Sequence, residues 1–411
     1  MSVSSPNARR ATIALLAASI PLQPDLAQLR AQLTAPNLDW NDFLYLADGH
    51  GITPLLYCQW REFDLFQHVP DAPQQYMAQA YADNAARNND ARREFVELLE
   101  RMKRVGVECI VLKGLPLLLE LYSDPAQRVL YDFDLLVKNA AQARRGFDSL
   151  IADGFTIVPT HAAVNKHLPS VWRLNGFVRR GYLFDVAQPR PVELHLTLWD
   201  HEWRGLDVRP LPDLWAHSIR VEVEGISVRV LSPEDTFIHV CEHLATHLIE
   251  RGARLGQVID VARMLQRRGA QLNWERILES ADTARVTRFV YLAQCAVNVL
   301  TGAPLPPSED VAVLRARTPT RLREWAEQHS ANDLLALDFR QPDLSQAYKL
   351  TFASTQSWKE NARVLRFAFL PSPDTLQEEY GGHGPLVYAR HIGGRGRSYL
   401  HSLAHRRAHN P

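Results

Sequence analysis

The sequence is poor in cysteine, and its cysteines lack the spacing of a disulfide framework or a Cys-x-x-Cys metal site. Four cysteines occur in 411 residues, each far from the next: Cys58, Cys109, Cys241 and Cys295. Isolated cysteines of this kind are typical of reduced, buried thiols in a cytoplasmic protein. They argue against a small secreted domain stabilised by disulfides.

The sequence also lacks an excess of charge and a long apolar run. Forty-six Lys and Arg residues balance 46 Asp and Glu residues, so the composition indicates neither nucleic acid nor a membrane surface as a partner. No run reaches the roughly 18 apolar residues of a membrane-spanning helix. The short apolar run after Arg9 and Arg10 is followed by renewed helical periodicity, without a signal-peptide cleavage site. We therefore expect an amphipathic first helix and a soluble, cytoplasmic protein.

The order of predicted elements divides the chain into three regions. Residues 1–105 are helical in pattern and include one long helix over 74–104. Residues 106–232 alternate strands and helices, which is typical of a mixed α/β domain. Residues 233–411 are helical again and end in a basic tail, which we interpret as a solvated surface segment rather than a nucleic-acid arm. The predicted fold class is α/β (α+β), a small mixed-sheet core flanked by N- and C-terminal helical regions.

Two aspartates lie one residue apart in the predicted strand "YDFDLLV". Alternate side chains of a strand share a face, so Asp132 and Asp134 are expected on the same side of the sheet. Paired carboxylates repel unless a cation binds them, and Mg²⁺ prefers oxygen ligands. The same short pattern also occurs as two exposed strand residues without a ligand.

A third carboxylate on a neighbouring strand would complete a two-metal site. The strand predicted from "VELHLTLW" supplies Glu193, and the strand predicted from "YLFDV" supplies Asp185 as the alternative. His195 shares the face of Glu193. It is either a core histidine held by hydrogen bonds or a contact to the acceptor or the metal-bound oxygen.

In order and spacing, "VLKG", "LY", Arg128, "DFDLLV" and "VELHLTLW" resemble the uncharacterised nucleotidyltransferase-like family of the polymerase-beta superfamily. The resemblance extends to "LYLADGHGITPLLY", "NNDARREFVELLERMKRVGVECIVLKG", "LSPEDTFIHVCEHLATH", "RLGQVIDVARML" and "FLPSPDTLQEEYG", and so to nearly the whole chain. In that superfamily a strand ends in a glycine-containing turn, the next strand carries Asp-x-Asp, and a further strand carries a third acid.

The resemblance implies a metal-dependent transfer of a nucleoside monophosphate from an NTP, with ATP expected, to an unknown acceptor, with release of pyrophosphate. Asp132, Asp134 and Glu193 would hold Mg²⁺ or Mn²⁺. Lys113, Gly114 and Arg128 would contact the nucleotide phosphates. The acceptor would be a small molecule, a peptide or a protein. Neither a membrane nor nucleic acid is expected as a partner.

The turn before the first helix of the core departs from the superfamily, because Lys113-Gly114 replaces the usual Gly-Ser. Either the lysine takes over the phosphate contact of the serine, or the chain is a nucleotide-binding or interaction protein that has lost transfer activity. Lys113 could also be a surface residue, and Arg128 could be an ion-pair partner of Asp124 or Asp132.

The segment "HVCEH" matches the His-x-x-Glu-His pattern of zinc peptidases, and His247 extends it. His239, His243 and His247 recur every fourth residue, so they share one helix face. The helix could bind zinc, pack as an ordinary core helix, or present its histidines together with Arg254 to the substrate. The resemblance favours the third interpretation, in which His195, His239, His243 and Arg254 are substrate-side residues.

Overall fold

A computed structural model describes residues 5–159, 166–178, 181–201, 203–337, 343–370, 376, 381–382 and 384–394. Within these ranges, no helix combines the length and the apolar character that crossing a membrane requires. The predicted basic tail falls mostly outside the described residues.

The N-terminal region is helical, as predicted. Its helices are α1 (Pro6–Ser19), α2 (Leu26–Leu33), α3 (Trp40–His50), α4 (Thr53–Glu62) and α5 (Asp71–Arg104). The Asp39 side chain caps α3 by accepting hydrogen bonds from the amides of Asn41 and Asp42. With 34 residues, α5 is roughly 50 Å long at 1.5 Å per residue. It confirms the predicted long helix, which ends just before Gly106.

Seven strands form one mixed sheet in the order β3-β4-β5-β2-β1-β7-β6. They are β1 (Cys109–Val111), β2 (Phe133–Val137), β3 (Thr156–Ile157), β4 (Val171–Trp172), β5 (Val192–His195), β6 (Ile219–Val223) and β7 (Ile226–Val230). Strand β2 pairs antiparallel with β1 and parallel with β5, and β1 pairs parallel with β7. The helices of this region are α6 (Gly114–Leu121), α7 (Ala140–Ala152) and α8 (Leu214–His217). The predicted fold class is confirmed.

One predicted strand is wrong. Residues 182–186, "YLFDV", form turns instead. Phe184 is fully buried, but against Ala80 and Val129 in a small cluster beside α5 rather than in the sheet. The guanidinium of Arg87 binds the carbonyl of Asp185 at 2.7 Å. Alternating apolar residues therefore reflect packing against a helix here. In "VELHLTLW", only residues 192–195 are strand.

The C-terminal region is helical again, as predicted. Its helices are α9 (Pro233–Arg251), α10 (Leu255–Arg268), α11 (Trp274–Thr283), α12 (Thr287–Thr301), α13 (Ser308–Ala316), α14 (Thr320–Gln328), α15 (Ala331–Ala336), α16 (Leu344–Ala353) and α17 (Trp358–Phe369). Ser232 caps α9 by accepting a hydrogen bond from the amide of Asp235. Residues 232–235 have the Ser-x-x-Asp spacing that is typical of a helix start.

The apolar core is continuous across all three regions. Leu15, Leu135, Phe237 and Val364 are fully buried members of one cluster. The division into domains at residues 105 and 232 therefore stays a prediction, since these boundaries do not separate independent cores.

Polar residues of α5 position the segment that leads into β2. The Asn84 amide donates to the carbonyls of Ala126 and Arg128 at 2.7 and 3.1 Å. The Asn88 amide donates to the carbonyls of Pro125 and Arg128 at 2.7 and 2.8 Å. Buried carbonyls without a regular secondary-structure partner need such donors. The loop that carries Arg128 is thus fixed against the long helix.

Candidate functional site

A cleft of about 440 Å³ opens where the three regions meet. It is lined by residues of every region, including His50 and Gly51; Lys113, Gly114, Arg128, Asp132, Lys166 and Glu193; and Glu242, His243, His247 and Arg254. A cleft of this size is in the range of sites that bind small molecules and cofactors. Eight of the residues that the sequence singled out line it: Lys113, Gly114, Arg128, Asp132, Glu193, His243, His247 and Arg254.

Strand register assembles an acidic cluster of which Glu193 lines the cleft, while Asp134 and His195 are buried behind that lining. Asp134 of β2 is the direct partner of Glu193 of β5 in a parallel pair, so their side chains share one face. The Nε2 atom of His195 lies 3.0 Å from Oδ1 of Asp134 and 3.3 Å from Oε2 of Glu193. Ligand atoms of these three residues all lie within 4.8 Å of one another.

Lys113 connects the acidic cluster to α9. Its ammonium lies 3.2 Å from Oδ2 of Asp134 and 3.4 Å from Nε2 of His243. Burial alone would raise the pKa of Asp134, but the charge of Lys113 and the hydrogen bond from His195 hold that pKa well below its usual value. Asp134 is therefore an anion in the folded protein, and Lys113 is not a free surface lysine.

Asp132 lines the cleft beside this cluster, but it is not one of the three residues whose ligand atoms lie close together. Burial and the nearby charge of Asp134 raise the pKa of Asp132 to about 7. The structure thus brings together Asp134 and Glu193 of the predicted acidic triad. His195 takes the third position, and Asp132 lies next to the group.

Two residues that the sequence analysis missed hold Glu193 in place. The hydroxyl of Ser170 donates to Oε1 of Glu193 at 3.0 Å, and Nε2 of His167 lies 3.4 Å from Oε2. Burial raises the pKa of Glu193, but the hydrogen bond from His195 and the charges of His167 and His195 together hold that pKa below its usual value. Ser170 and His167 both lie shortly before β4, and no spacing in the sequence links them to "VELHL".

The alternative third acid, Asp185, lies in a turn. Its carboxylate accepts a hydrogen bond from the amide of Ala187 at 3.0 Å, and it is not among the residues that line the cleft. The register of β2 and β5 favours Glu193 instead.

Arg128 forms an ion pair with a residue that the sequence did not indicate. Its guanidinium forms a two-point ion pair with Asp260 of α10, at 2.9 and 2.8 Å, and donates to the carbonyl of Gly114 at 3.1 Å. The hydroxyl of Tyr122 also donates to Asp260, at 2.8 Å. The expected partners Asp124 and Asp132 were wrong, because α10 places a buried carboxylate against the arginine.

The three histidines of α9 form a row along one face, as predicted. The ring centroids of His239 and His243 are 6.3 Å apart, and those of His243 and His247 are 4.5 Å apart. Burial lowers the pKa of each, to about 3 for His247. His243 and His247 line the cleft as neutral rings, whereas His239 is buried behind it.

The zinc-peptidase pattern does not assemble a metal site in the described part of the chain. There, the acids and histidines that come close enough to hold a metal are Asp134, Glu193 and His195. Glu242 and His243 line the cleft but do not belong to that group.

Arg254 precedes α10 and lies over the ring of Tyr131, 4.4 Å from its centroid. The Tyr131 hydroxyl points at Gly51, where a Cβ atom would lie only 2.2 Å from the oxygen. Glycine at this left-handed position (φ +71°) leaves room for the tyrosine hydroxyl, whose ring contacts the arginine.

The donor set at the cluster suits a divalent cation. Carboxylate oxygens are the preferred ligands of Mg²⁺ and Mn²⁺, and an imidazole nitrogen is a common additional ligand of Mn²⁺. Asp134, Glu193 and His195 supply these atoms, and Asp132 adds a further carboxylate nearby.

Comparisons with known proteins identify a family for this chain. A family model described as "Uncharacterised nucleotidyltransferase" matches residues 36–302 and does not reach "FLPSPDTLQEEYG". The crystal structure of an antigenic nucleotidyltransferase-like protein from Paracoccidioides brasiliensis aligns with a TM-score of 0.32 at 16% identity, over 54% of this chain and 97% of that chain. Among curated proteins there is no match. The chain belongs to the family of uncharacterised nucleotidyltransferases.

Proposed function

We propose that the protein is a metal-dependent nucleotidyltransferase, which transfers a nucleoside monophosphate from an NTP to an acceptor and releases pyrophosphate. One observation carries this proposal. In a chain of this family, the cluster of Asp134, Glu193 and His195 adjoins a cleft large enough for a small substrate, with Glu193 in the lining and Asp134 and His195 directly behind it. Burying two carboxylates side by side costs free energy that a bound cation offsets.

Asp134, Glu193 and His195, with Asp132 beside them, would hold Mg²⁺ or Mn²⁺. When bound, the ion supplies positive charge to the phosphate oxygens and Lewis acidity at the α-phosphate. The chain's own residues prepare this site. Ser170 and His167 orient Glu193, and Arg128 fixes the carbonyl of Gly114 at the turn before α6.

The proposed partners are an NTP, with ATP expected, and an acceptor that is a small molecule, a peptide or a protein. Neither nucleic acid nor a membrane is proposed as a partner, since the 46 basic and 46 acidic residues balance. The cytoplasmic location expected from the isolated cysteines stays a prediction.

A second candidate is a nucleotide-binding or interaction protein of the same fold without transfer activity. The contact between Lys113 and Asp134 favours it, because an internal ammonium already balances one carboxylate of the cluster. The turn also carries lysine and glycine in place of Gly-Ser.

The test is calorimetric titration of Mg²⁺·ATP and the other NTPs into wild type, Asp134→Asn and Glu193→Gln. Asp282→Asn changes an exposed acid outside the cleft and serves as the matched control. We expect metal-dependent binding by wild type and the control, and loss of binding in the two cluster variants. No binding of any NTP to wild type would refute the proposal. Release of labelled pyrophosphate from a bound NTP would separate the enzyme from the inactive alternative.

A further inference from the structure

We propose that Lys166 and Arg254, rather than Lys113 and Arg128, are the residues that bind the nucleotide phosphates. This inference rests on the proposed function and assigns the phosphate contacts within that site. It concerns four cationic residues of one cleft, two already neutralised by carboxylates and two not.

Lys113 and Arg128 are committed to partners inside the protein. Lys113 lies 3.2 Å from Asp134, and Arg128 forms a two-point ion pair with the buried Asp260. Drawing Arg128 to a phosphate would leave the buried Asp260 without its cation, which is unfavourable, and Lys113 is held between Asp134 and His243. These two cations therefore shape the site and stabilise it, but they have little free charge to offer a ligand.

Lys166 lines the cleft and forms no ion pair with any carboxylate that the structure describes. Its backbone is fixed, because its carbonyl accepts hydrogen bonds from the amides of Leu196 and Thr197 at 2.7 and 3.3 Å. The next residue, His167, contacts Glu193. The ammonium is thus carried by an anchored backbone immediately beside the acidic cluster.

The positive charge of Lys166 also acts electrostatically on the acidic cluster. Burial raises the pKa of Asp134, and Lys166 is one of the cations, after Lys113, that lower it. Burial likewise raises the pKa of Glu242 across the cleft, and Lys166 is the cation that opposes this most. An ammonium within electrostatic reach of both β2 and α9 is well placed to meet a charged ligand between them.

Arg254 is the second such cation. Among the described residues its side-chain contact is the face of the Tyr131 ring, and no described carboxylate pairs with it. Stacking fixes the plane of a guanidinium and leaves its edge free to donate to phosphate oxygens in pairs. Tyr131 directly precedes Asp132, so Arg254 is anchored just before β2, whereas the backbone of Lys166 is hydrogen-bonded to residues just after β5.

The two positions match what a triphosphate requires. Its charge is spread over three phosphates, and one metal site does not neutralise all of it. Lys166 and Arg254 both line the cleft and are balanced by no described carboxylate. The family resemblance implied Lys113 and Arg128 as the phosphate contacts, whereas charge pairing in the folded protein favours the other two.

The experiment is calorimetric titration of Mg²⁺·ATP and Mg²⁺·pyrophosphate into wild type, Lys166→Gln and Arg254→Gln. Two matched controls test charge alone. Arg251→Gln removes a cleft-lining arginine that pairs with Glu250 at 3.7 Å, and Lys138→Gln removes a surface lysine that pairs with Glu108. Thermal unfolding of each variant verifies the fold, and Asp134→Asn marks the loss of the metal site.

We expect Lys166→Gln and Arg254→Gln each to weaken binding of both ligands about 10- to 100-fold, as loss of a charged hydrogen bond predicts. Both controls should stay within about threefold of wild type. If Asp134→Asn abolishes binding while either cation variant binds as wild type does, the inference is overturned and the proposed function stands. If wild type binds neither ligand, the proposed function is refuted, and with it the inference that depends on it.

Discussion

Asp134 and Glu193 face each other across two parallel strands, 59 positions apart in sequence but direct partners in register. The pairing decides which acid joins the cluster, since a shift of one residue would turn Glu193 to the opposite face of the sheet. Asp185 lies in a turn outside the sheet, so no strand pairing brings its carboxylate to the cluster.

This pairing predicts which carboxylates bind metal. Asp134→Asn and Glu193→Gln should each weaken Mn²⁺ binding at least tenfold, because each removes a charged ligand of a small cluster. Electron paramagnetic resonance of Mn²⁺ titrated into the protein measures free ion directly. Asp185→Asn should bind as wild type does. Equal losses in all three variants would contradict the assignment of Glu193.

The ion pair between Arg128 and Asp260 should be essential for stability. Asp260→Asn leaves a half-buried guanidinium without its charge partner, and we expect a loss of about 3 kcal/mol in the free energy of unfolding. Asp282→Asn breaks a pair with Arg317 that is largely exposed, so its cost should stay below about 0.5 kcal/mol. Urea unfolding measures both. Similar losses in the two variants would show that the ion pair between Arg128 and Asp260 contributes no more to stability than an exposed pair.

Gly51 should be required by the ring of Tyr131. Gly51→Ala adds a Cβ atom 2.2 Å from the tyrosine oxygen, whereas Gly302→Ala adds one to open space at a similar left-handed φ of +65°. Gly302→Ala should lower the free energy of unfolding by about 1–2 kcal/mol, because a side chain disfavours that backbone conformation. Gly51→Ala should lower it clearly more. In the double variant Gly51→Ala/Tyr131→Phe the excess cost should vanish, since the nearest ring carbon is 3.4 Å away. If the double variant is as unstable as Gly51→Ala alone, the destabilisation does not come from the clash with the tyrosine oxygen.

Glu242 should make stability depend on pH. It is 5% exposed, and burial raises its pKa to about 8 from an ordinary 4.5. Between about pH 5 and 8 the unfolded chain is ionised there while the folded protein keeps the proton, so the free energy of unfolding falls as pH rises. Glu242→Gln should remove this contribution, and its advantage over wild type should grow by up to about 1.4 kcal/mol per pH unit.

Urea unfolding at pH 5, 6, 7 and 8 measures the effect of Glu242→Gln. Glu108→Gln alters an exposed glutamate, so its stability should run parallel to that of wild type across the series. A constant difference between Glu242→Gln and wild type at all four pH values would mean that Glu242 is ionised in the folded protein.

Features set by neighbouring residues could be predicted from the sequence. The caps at Asp39 and Ser232, the long helix α5 and the strand that carries Asp134 all depend on local patterns, and the structure contains each of them. The family and the fold class followed from the order of such motifs.

Features set by tertiary contacts could not be predicted. Asp260 lies 132 positions after Arg128, and no local pattern links the two. Lys166 lies at the cleft because the amides of Leu196 and Thr197, just after β5, donate hydrogen bonds to its carbonyl. The error at residues 182–186 has the same origin, since the alternation of Tyr182 and Phe184 reflects a helix surface rather than a sheet.

The distance along the chain between Arg128 and Asp260 also sets the order of assembly during synthesis. A ribosome adds roughly 5–20 residues per second, so the arginine emerges about ten seconds before the aspartate that neutralises it. Until α10 follows, the loop before β2 carries an unpaired cation and the cleft lacks one wall. The cleft is therefore complete only after α10 has been translated.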